Sequence, residues 1–530
     1  AMQLSPALAA KAAKHVDRLS GNATVQVTAS GSFDTEAPAP PAKYLAKVDP
    51  SGVSLSAKDL PQPIALIGGS VTLTPGNIGL GRVMAAVAKP KVPGAVTVNG
   101  NLALDAGRLS LRQIAVEMHQ IEIEQWLPLL IDPQDIAARG PLGGTLTIVR
   151  EPSRSHGIRA NGRLTMGAGE VQLGFLRAPI VAQSATLTFD GRGLLLAIIG
   201  AKLQGAPFDF SLGVADLDKP VLRIVANAGR LDLEVMKFIR LPWAPSPPAH
   251  FFPVPVVGHM EAAHANLERL TMSRARCDFN REVNGDWNVR NFVATLFEGR
   301  AEMEFSGRGR DDWINVKGRV NEVQVGPLFS LANPSGQPPL TGRLKAKGDL
   351  WANSNTDFFN TLAGTISIEV TDGVLHKFAL LSRILGFVDL KTWLSAQVPD
   401  PRINGVPFQT LTADFKGRDG DFHSDNLLLR GPVMNISALG HIRLGDGNVD
   451  MQVGMVPFKT VNWLVAKVPL IGGGLSSDHF VAAYFHVTGP LSNPRVVPQP
   501  ITSVAYFLTN VLKVPLNIIK GIGNNGGNGN

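Results

Sequence analysis

Cysteine is nearly absent. Cys277 is the only one in 530 residues, which excludes an intrachain disulfide and any metal site built on several thiolates. Tyrosine is scarce too, at three. No run of five or more lysines or arginines occurs and no RNA- or DNA-binding signature is present, so nucleic acid is not an expected partner. Long apolar runs are also missing. The longest charge-free candidate, 496–512, holds two prolines and falls short of the ~20 apolar residues of a membrane-crossing helix. Enzyme signatures are lacking: there is no nucleophile elbow and no catalytic-cysteine motif.

Two fragments imitate metal sites and fail in detail. His259 and His264 lie in HMEAAH, which is not the helical H-E-x-x-H zinc motif. On a strand, positions five apart point to opposite faces. Asp446, Asn448 and Asp450 begin like a calcium loop, but Met451 stands where that loop needs Gly and Pro457 where it needs the bidentate Glu. A polar hairpin turn is the better reading. No catalytic residue, cofactor or metal is expected, and the chain reads as a non-enzyme.

What is abundant is turn formers and alternation. Gly 55 and Pro 38 punctuate a chain that is 44% hydrophobic and only 18% charged, which leaves ample material to bury. Short alternating runs such as TVQVTAS, VSLSA, SVTLT and AVTVNGNLAL each end on Gly, Pro or Asn. Period-2 alternation with a turn signal every ten or so residues predicts antiparallel strands with one apolar and one polar face. The formal net charge is +7. Basic proteins are drawn to anionic surfaces, and anionic lipid headgroups are the partner expected here.

A repeat then emerges. An apolar-x-apolar strand end runs into a short apolar helix at IEIEQWLPLL (121), LDLEVMKFI (231) and VQVGPLFSLA (323). Each is followed by a Pro-rich loop and by PLGGTL (141), PVVGHM (255) or PLTGRL (339). The predicted fold is all-β with a few short helices: an elongated, repetitive antiparallel sheet curled into a trough with an apolar groove, each repeat adding strands to the last. Residues 1–22 are expected to hold an N-terminal helix, SPALAAKAAKHVDR. Residues 23–338 read as repetitive groove units, with a hinge or boundary in the proline-rich loop 241–257. Residues 339–500 read as a C-terminal β module in which Thr371-Asp372-Gly373 makes a turn. Residues 501–530 read as a terminal apolar helix and a flexible Gly/Asn tail.

The candidate functional residues are therefore apolar and alternating. Leu146, Ile148, Leu164, Met166, Leu187, Phe189, Phe208, Phe210, Met303, Phe305, Ile366, Ile368, Ile436, Ala438, Met451 and Val453 are expected to line the groove. Alternation places them on one face. It does not decide whether side chains or a ligand fill that face. Three apolar stretches, carrying Phe378, Leu381, Leu385, Trp393, Trp463, Phe507, Leu508 and Leu512, are expected to be membrane or cap helices.

The C-terminal third carries a set of motifs in order. These are GTISIEVTDGVL from Gly364, ADFKGRDG from Ala413, PLIGG from Pro469 and VTGPLSNP from Val487. Over about 160 residues this set resembles the C-terminal region of the AsmA-like family of bacterial envelope proteins; the upstream repeats match that family only loosely. The resemblance implies a periplasmic, inner-membrane-anchored β-groove protein, akin to bridge-like lipid transfer proteins that move phospholipid between inner and outer membranes in outer-membrane biogenesis. It implies phospholipid, the membrane surface and envelope proteins as partners. Ala1-Met2 reads as a cloning remnant, so the family's N-terminal membrane helix is expected upstream. The rival readings are an envelope scaffold whose trough is filled by its own side chains and a carbohydrate-active β-helix enzyme. The latter needs clustered carboxylates, and none is evident in the sequence.

Overall fold

A computed structural model describes residues 18–30, 43–56, 63–87, 94–105, 108–129, 131–150, 157–236, 254–309, 312–332, 338–353, 358–376, 405–432, 434–457, 483–491 and 493–499. The chain is nearly all β, with open sheet that does not close into a barrel. It divides into two compact units, and the division falls within 240–284. The helix expected over 5–18 lies outside the described residues except for Arg18, which opens a strand. Most of the proline-rich loop 241–257 lies outside them as well.

In the first unit a meander runs through β5 (Ile64–Thr74), β6 (Asn77–Val87), β7 (Ala95–Asp105) and β8 (Arg108–Glu122). It continues through β10 (Pro141–Arg150), β11 (Ile158–Met166), β14 (Ser184–Gly191), β15 (Leu194–Ile199), β17 (Ala206–Val214) and β18 (Leu222–Asp232). Each strand pairs antiparallel with the next in that order. Beyond β5 the sheet ends on four strands: β1 (Arg18–Gly21), β2 (Thr24–Ser30), β3 (Lys43–Asp49) and β4 (Val53–Ser56). Alternation is clearest in β18, where Leu222, Ile224, Ala226 and Ala228 are buried and Arg223, Val225 and Asn227 are exposed.

Because alternate strands of a meander run the same way, β8, β11, β15 and β18 all end at one edge. The connections there are elaborated. They hold the helix Ile123–Trp126, the 3₁₀ turns Leu127–Leu129 and Leu233–Val235, and a second small sheet. That sheet orders β9 (Ile136–Arg139), β12 (Gly169–Leu173), β13 (Ile180–Ala182) and β16 (Lys202–Leu203), all antiparallel. It was not legible in the sequence. Buried apolar side chains of β8, β13, β18 and the turn after β18 line this edge. Ile121, Ile180, Leu231 and Val235 are no more than 2% exposed, and Arg177 N–H donates to the Val235 carbonyl at 2.7 Å.

The second unit repeats the plan. Its sheet is β21 (Trp287–Leu296), β22 (Gly299–Gly307), β23 (Trp313–Gln324), β24 (Leu340–Asn353), β25 (Ala363–Leu375), β26 (Val406–Arg418), β27 (Asp421–Arg430), β28 (Met434–Arg443), β29 (Asn448–Pro457), β30 (Ala483–Pro490) and β31 (Arg495–Gln499). Consecutive strands pair antiparallel throughout. Before it, β19 (Val256–Leu267) and β20 (Leu270–Arg281) lie where the division between units falls. In all three expected repeat copies the strand-to-helix step and the restart are described; of the connections between them, the first carries β9 (Ile136–Arg139) and the other two lie mostly outside the described residues. β8, β18 and β23 each run into a short helical element, and β10, β19 and β24 begin at or within one residue of PLGGTL, PVVGHM and PLTGRL.

One expectation is corrected. Thr371-Asp372-Gly373 is not a turn: it lies inside β25, which stays paired with β26 through Thr371↔Thr410 and Gly373↔Phe408. Against β24 the register slips there by one residue, and Asp372 takes φ 50°. The same device recurs at Arg82, Gln120, Asn291 and Glu322, each at a left-handed φ beside a register shift. These are β-bulges, which bend the strand and increase its twist. They curl sheets that local alternation alone would draw flat.

Candidate apolar groove

Directly opposed residues in antiparallel strands share a face, so the register can be followed across the first unit as rows. One row runs Val83–Val98–Val116–Leu146–Gly162–Phe189–Leu194–Val214–Leu222, and the row beside it Ala85–Val96–Met118–Gly144–Leu164–Leu187–Leu196–Leu212–Ile224. Both are apolar or glycine across nine strands. The row between them, Thr97–Glu117–Thr145–Arg163–Thr188, faces the other way. Leu146, Ile148, Leu164, Met166, Leu187 and Phe189 thus share one continuous face.

Phe208 and Phe210 join that face from β17, opposite Ala228 and Ala226. Their rings stack at 5.8 Å.

Burial grades across this face. Near the packed edge, Ile121, Met166 and Ala185 are at most 7% exposed. Toward the middle, Val98, Val116, Leu146, Phe189 and Leu194 are only partly covered. Among the described residues no strand or helix lies over them as a second layer.

The second unit has the same gradient. Beside the helix Val325–Ala332, the row Val323–Leu344–Val370–Leu411–Leu429–Ile436–Met455 is well packed. Val323 is 0% exposed, and Val370, Leu429 and Met455 are each 2%. Farther along, Phe292–Met303–Gly318–Gly348–Ile366–Phe415 forms a row whose large side chains are all partly exposed. Ile368 and Phe305, in the two rows flanking that one, are also partly exposed. Ala438, Met451 and Val453 instead belong to a closed cluster with Phe485 and Val487, the latter 0% exposed. Ile436 packs against that cluster from a partly buried position. The sixteen candidate positions therefore divide into an open set and a packed set.

The candidates Phe378, Leu381, Leu385, Trp393, Trp463, Phe507, Leu508 and Leu512 lie outside the described residues. Their points of attachment are described, and they lie along one edge. β25, β29 and β31 all run in one direction, so the segments after Leu375, Pro457 and Gln499 leave from the same edge as the helix after β23. The opposite edge carries charged turns, Arg418-Asp419 and Arg443 with Asp446. No helix among the described residues is long and apolar enough to cross a membrane.

The outer face carries charged and polar side chains, several of them paired, alongside exposed apolar ones such as Leu195, Ile199, Trp313 and Trp351. Glu302 accepts from Arg300 Nε at 2.7 Å and Arg319 Nε at 2.8 Å, which holds its carboxyl below the ordinary value. Glu322 sits 3.1 Å from Lys345 and is lowered in the same way. Such exposed pairs set register more than they stabilise. His259 bonds Asp278 through Nδ1 at 2.7 Å and Glu261 through Nε2 at 3.2 Å, and the Asp278 bond is the main cause of its raised pKa. Asp446 accepts from the Asn448 N–H at 3.0 Å and from its Nδ2 at 2.6 Å, closing the polar turn the sequence suggested. Among the described residues no group of three or more His, Cys, Asp or Glu side chains could hold a metal ion.

Compared with family models, with curated proteins and with solved structures, the chain matches none.

Proposed function

We propose that the protein is a lipid-binding groove that carries phospholipid along its apolar face, between the inner and outer membranes of a bacterial envelope, without chemistry. The observation that carries this reading is the half-open apolar face. Two apolar rows cross nine strands of the first unit, and in one of them Val98, Val116, Leu146, Phe189 and Leu194 stay partly exposed, although Leu164 in the row beside it is buried. Nine strands at about 4.8 Å spacing span roughly 40 Å, which exceeds the ~30 Å hydrocarbon core of a bilayer. Acyl chains lying there would cover apolar area that a soluble protein rarely leaves bare, with headgroups in solvent near the basic residues of the rim.

The apolar segments leaving one edge of the second unit support a membrane-facing role for that edge. Together with the AsmA-like motifs of the C-terminal third, they support a reading in which the protein sits in the periplasm with an inner-membrane anchor. A scaffolding role is favoured locally by one observation. The Met451–Val453–Phe485–Val487 cluster is filled by side chains and leaves no room for a ligand at that point.

Native mass spectrometry of protein purified without detergent tests the reading. Co-purified phospholipid is expected. Protein that is lipid-free as isolated, and that takes up none from phosphatidylglycerol–phosphatidylethanolamine vesicles, would leave the scaffold in its place.

A further inference from the structure

Among the described residues, the apolar face of the first unit runs to the last strand of its sheet and ends there uncovered. β5 is flanked on its outer side by β3, with Ala46↔Leu73 and Val48↔Val71, and by β4, with Ser54↔Ala65. β3 in turn pairs β2, with Val25↔Val48 and Val27↔Ala46. Val25 and Val27 therefore continue the rows of Val71 and Leu73. Even so, they are 55% and 65% exposed. Among the described residues nothing pairs with the outer side of β2.

An open edge of this kind is a template for another strand, and natural proteins usually blunt it with lysine, proline or a bulge. β2 reads TVQVTAS and has none of these. The last strand of the second unit, β31, reads RVVPQ, with Arg495 and Pro498; proline cannot donate to a ladder.

The sequence of β2 also says what fits against it. Its pattern is the same read in either direction: Val25, Val27 and Ala29 on one face, Thr24, Gln26, Thr28 and Ser30 on the other. An antiparallel copy centred on Val27 sets Val27 opposite Val27, Val25 opposite Ala29, Gln26 opposite Thr28 and Thr24 opposite Ser30. Apolar meets apolar, polar meets polar, and no like charges oppose because the strand has none.

We propose that β2 pairs antiparallel with β2 of a second copy of this chain about a two-fold axis at Val27. The contact is isologous, and it joins two apolar faces into one continuous floor. It rests on the sheet edge alone and stands or falls apart from the lipid reading.

Cysteine chemistry gives a direct test, because the native thiol, Cys277, is buried. Opposed residues in an antiparallel pair have Cα atoms about 4.5–5.5 Å apart, within disulfide range. Val27→Cys is expected to form a covalent dimer under mild oxidation, whereas Val497→Cys on β31 should remain monomeric. Sedimentation of the unmodified protein should show a concentration-dependent monomer–dimer equilibrium. Gln26→Lys with Thr28→Lys opposes like charges on a surface face and should weaken dimerisation about tenfold or more. Gln26→Lys with Thr28→Glu opposes unlike charges and should restore it, which separates a lost contact from a lost fold. Two results for Val27→Cys would overturn the proposal. One is a monomer at every concentration whose introduced thiol reacts freely with a maleimide. The other is a monomer whose introduced thiol stays unreactive, which means that another part of the same chain covers the edge.

Discussion

Placing a carboxylate on the apolar face distinguishes an open groove from a closed core, and Ile368→Asp beside Val487→Asp is the informative pair. Ile368 lies in the row Ala301–Val320–Ala346–Ile368–Ala413 and is partly exposed. Complete burial of an isoleucine is worth about 1.5–3 kcal/mol, so removing a partly covered one costs roughly 1–2 kcal/mol. The new carboxylate remains in contact with water and adds little. For a unit of this size, 1 kcal/mol moves the melting midpoint by about 2–4 °C, so a fall of roughly 2–8 °C is expected.

Val487 is 0% exposed inside the closed cluster. A carboxylate there has no partner, and the cost is about 4 kcal/mol or more. On the same scale that corresponds to a fall of about 8–16 °C or more, or to insoluble protein. Thermal unfolding followed by circular dichroism reads both variants, and phospholipid content by mass spectrometry should drop for Ile368→Asp while its fold persists. If Ile368→Asp collapses the protein as badly as Val487→Asp, the middle rows are core and the groove does not exist.

Gly364→Ala should cost about 3 kcal/mol or more, because Gly364 holds φ +130° and a Cβ there would run into the Asp349 carbonyl oxygen; the denaturant midpoint measures it. His259 should titrate above 6.5 by NMR, since the Asp278 bond favours its charged form, and Asp278→Asn should bring the midpoint down. The sign follows from linkage: this pair stabilises fully below the unfolded value near 6.5, and its contribution is lost as pH rises through the higher folded value. Because the side chain is 40% exposed, the effect on stability will be small beside the shift in the titration.

The strands were legible because alternation is a local signal; β18 reads LRIVANAGRLD and its first seven residues bury every second side chain as written. The repeat was legible too, since strand end, short helix and restart all lie close in sequence. The bulges were not. Asp372 sits in T-D-G, which reads as a turn by composition, and only the neighbouring strands β24 and β26 decide that the chain continues straight on. The small edge sheet was equally hidden. Its strands β13 and β16 are three and two residues long, too short to carry a period.

Which apolar residues are filled in and which lie open was also beyond the sequence. Val320 and Val323 stand on the same strand and the same face. Val323 is 0% exposed, beside the helix Val325–Ala332, whereas Val320 is partly exposed. Residue type cannot separate them, because the difference comes from what packs nearby.

The bulges have a consequence for how such a chain can change. In a flat strand, one inserted residue turns every later side chain to the wrong face. Between Val320 and Val323 three steps of chain oppose the two steps from Ala346 to Leu344, and both valines still face inward. The surplus residue, Glu322, is set aside in a left-handed conformation, and the strand bends instead of inverting. A sheet that already stores extra residues as curvature can absorb single insertions and deletions without losing the phase of its apolar side. Length errors become changes of shape, and the continuity of the apolar floor survives them.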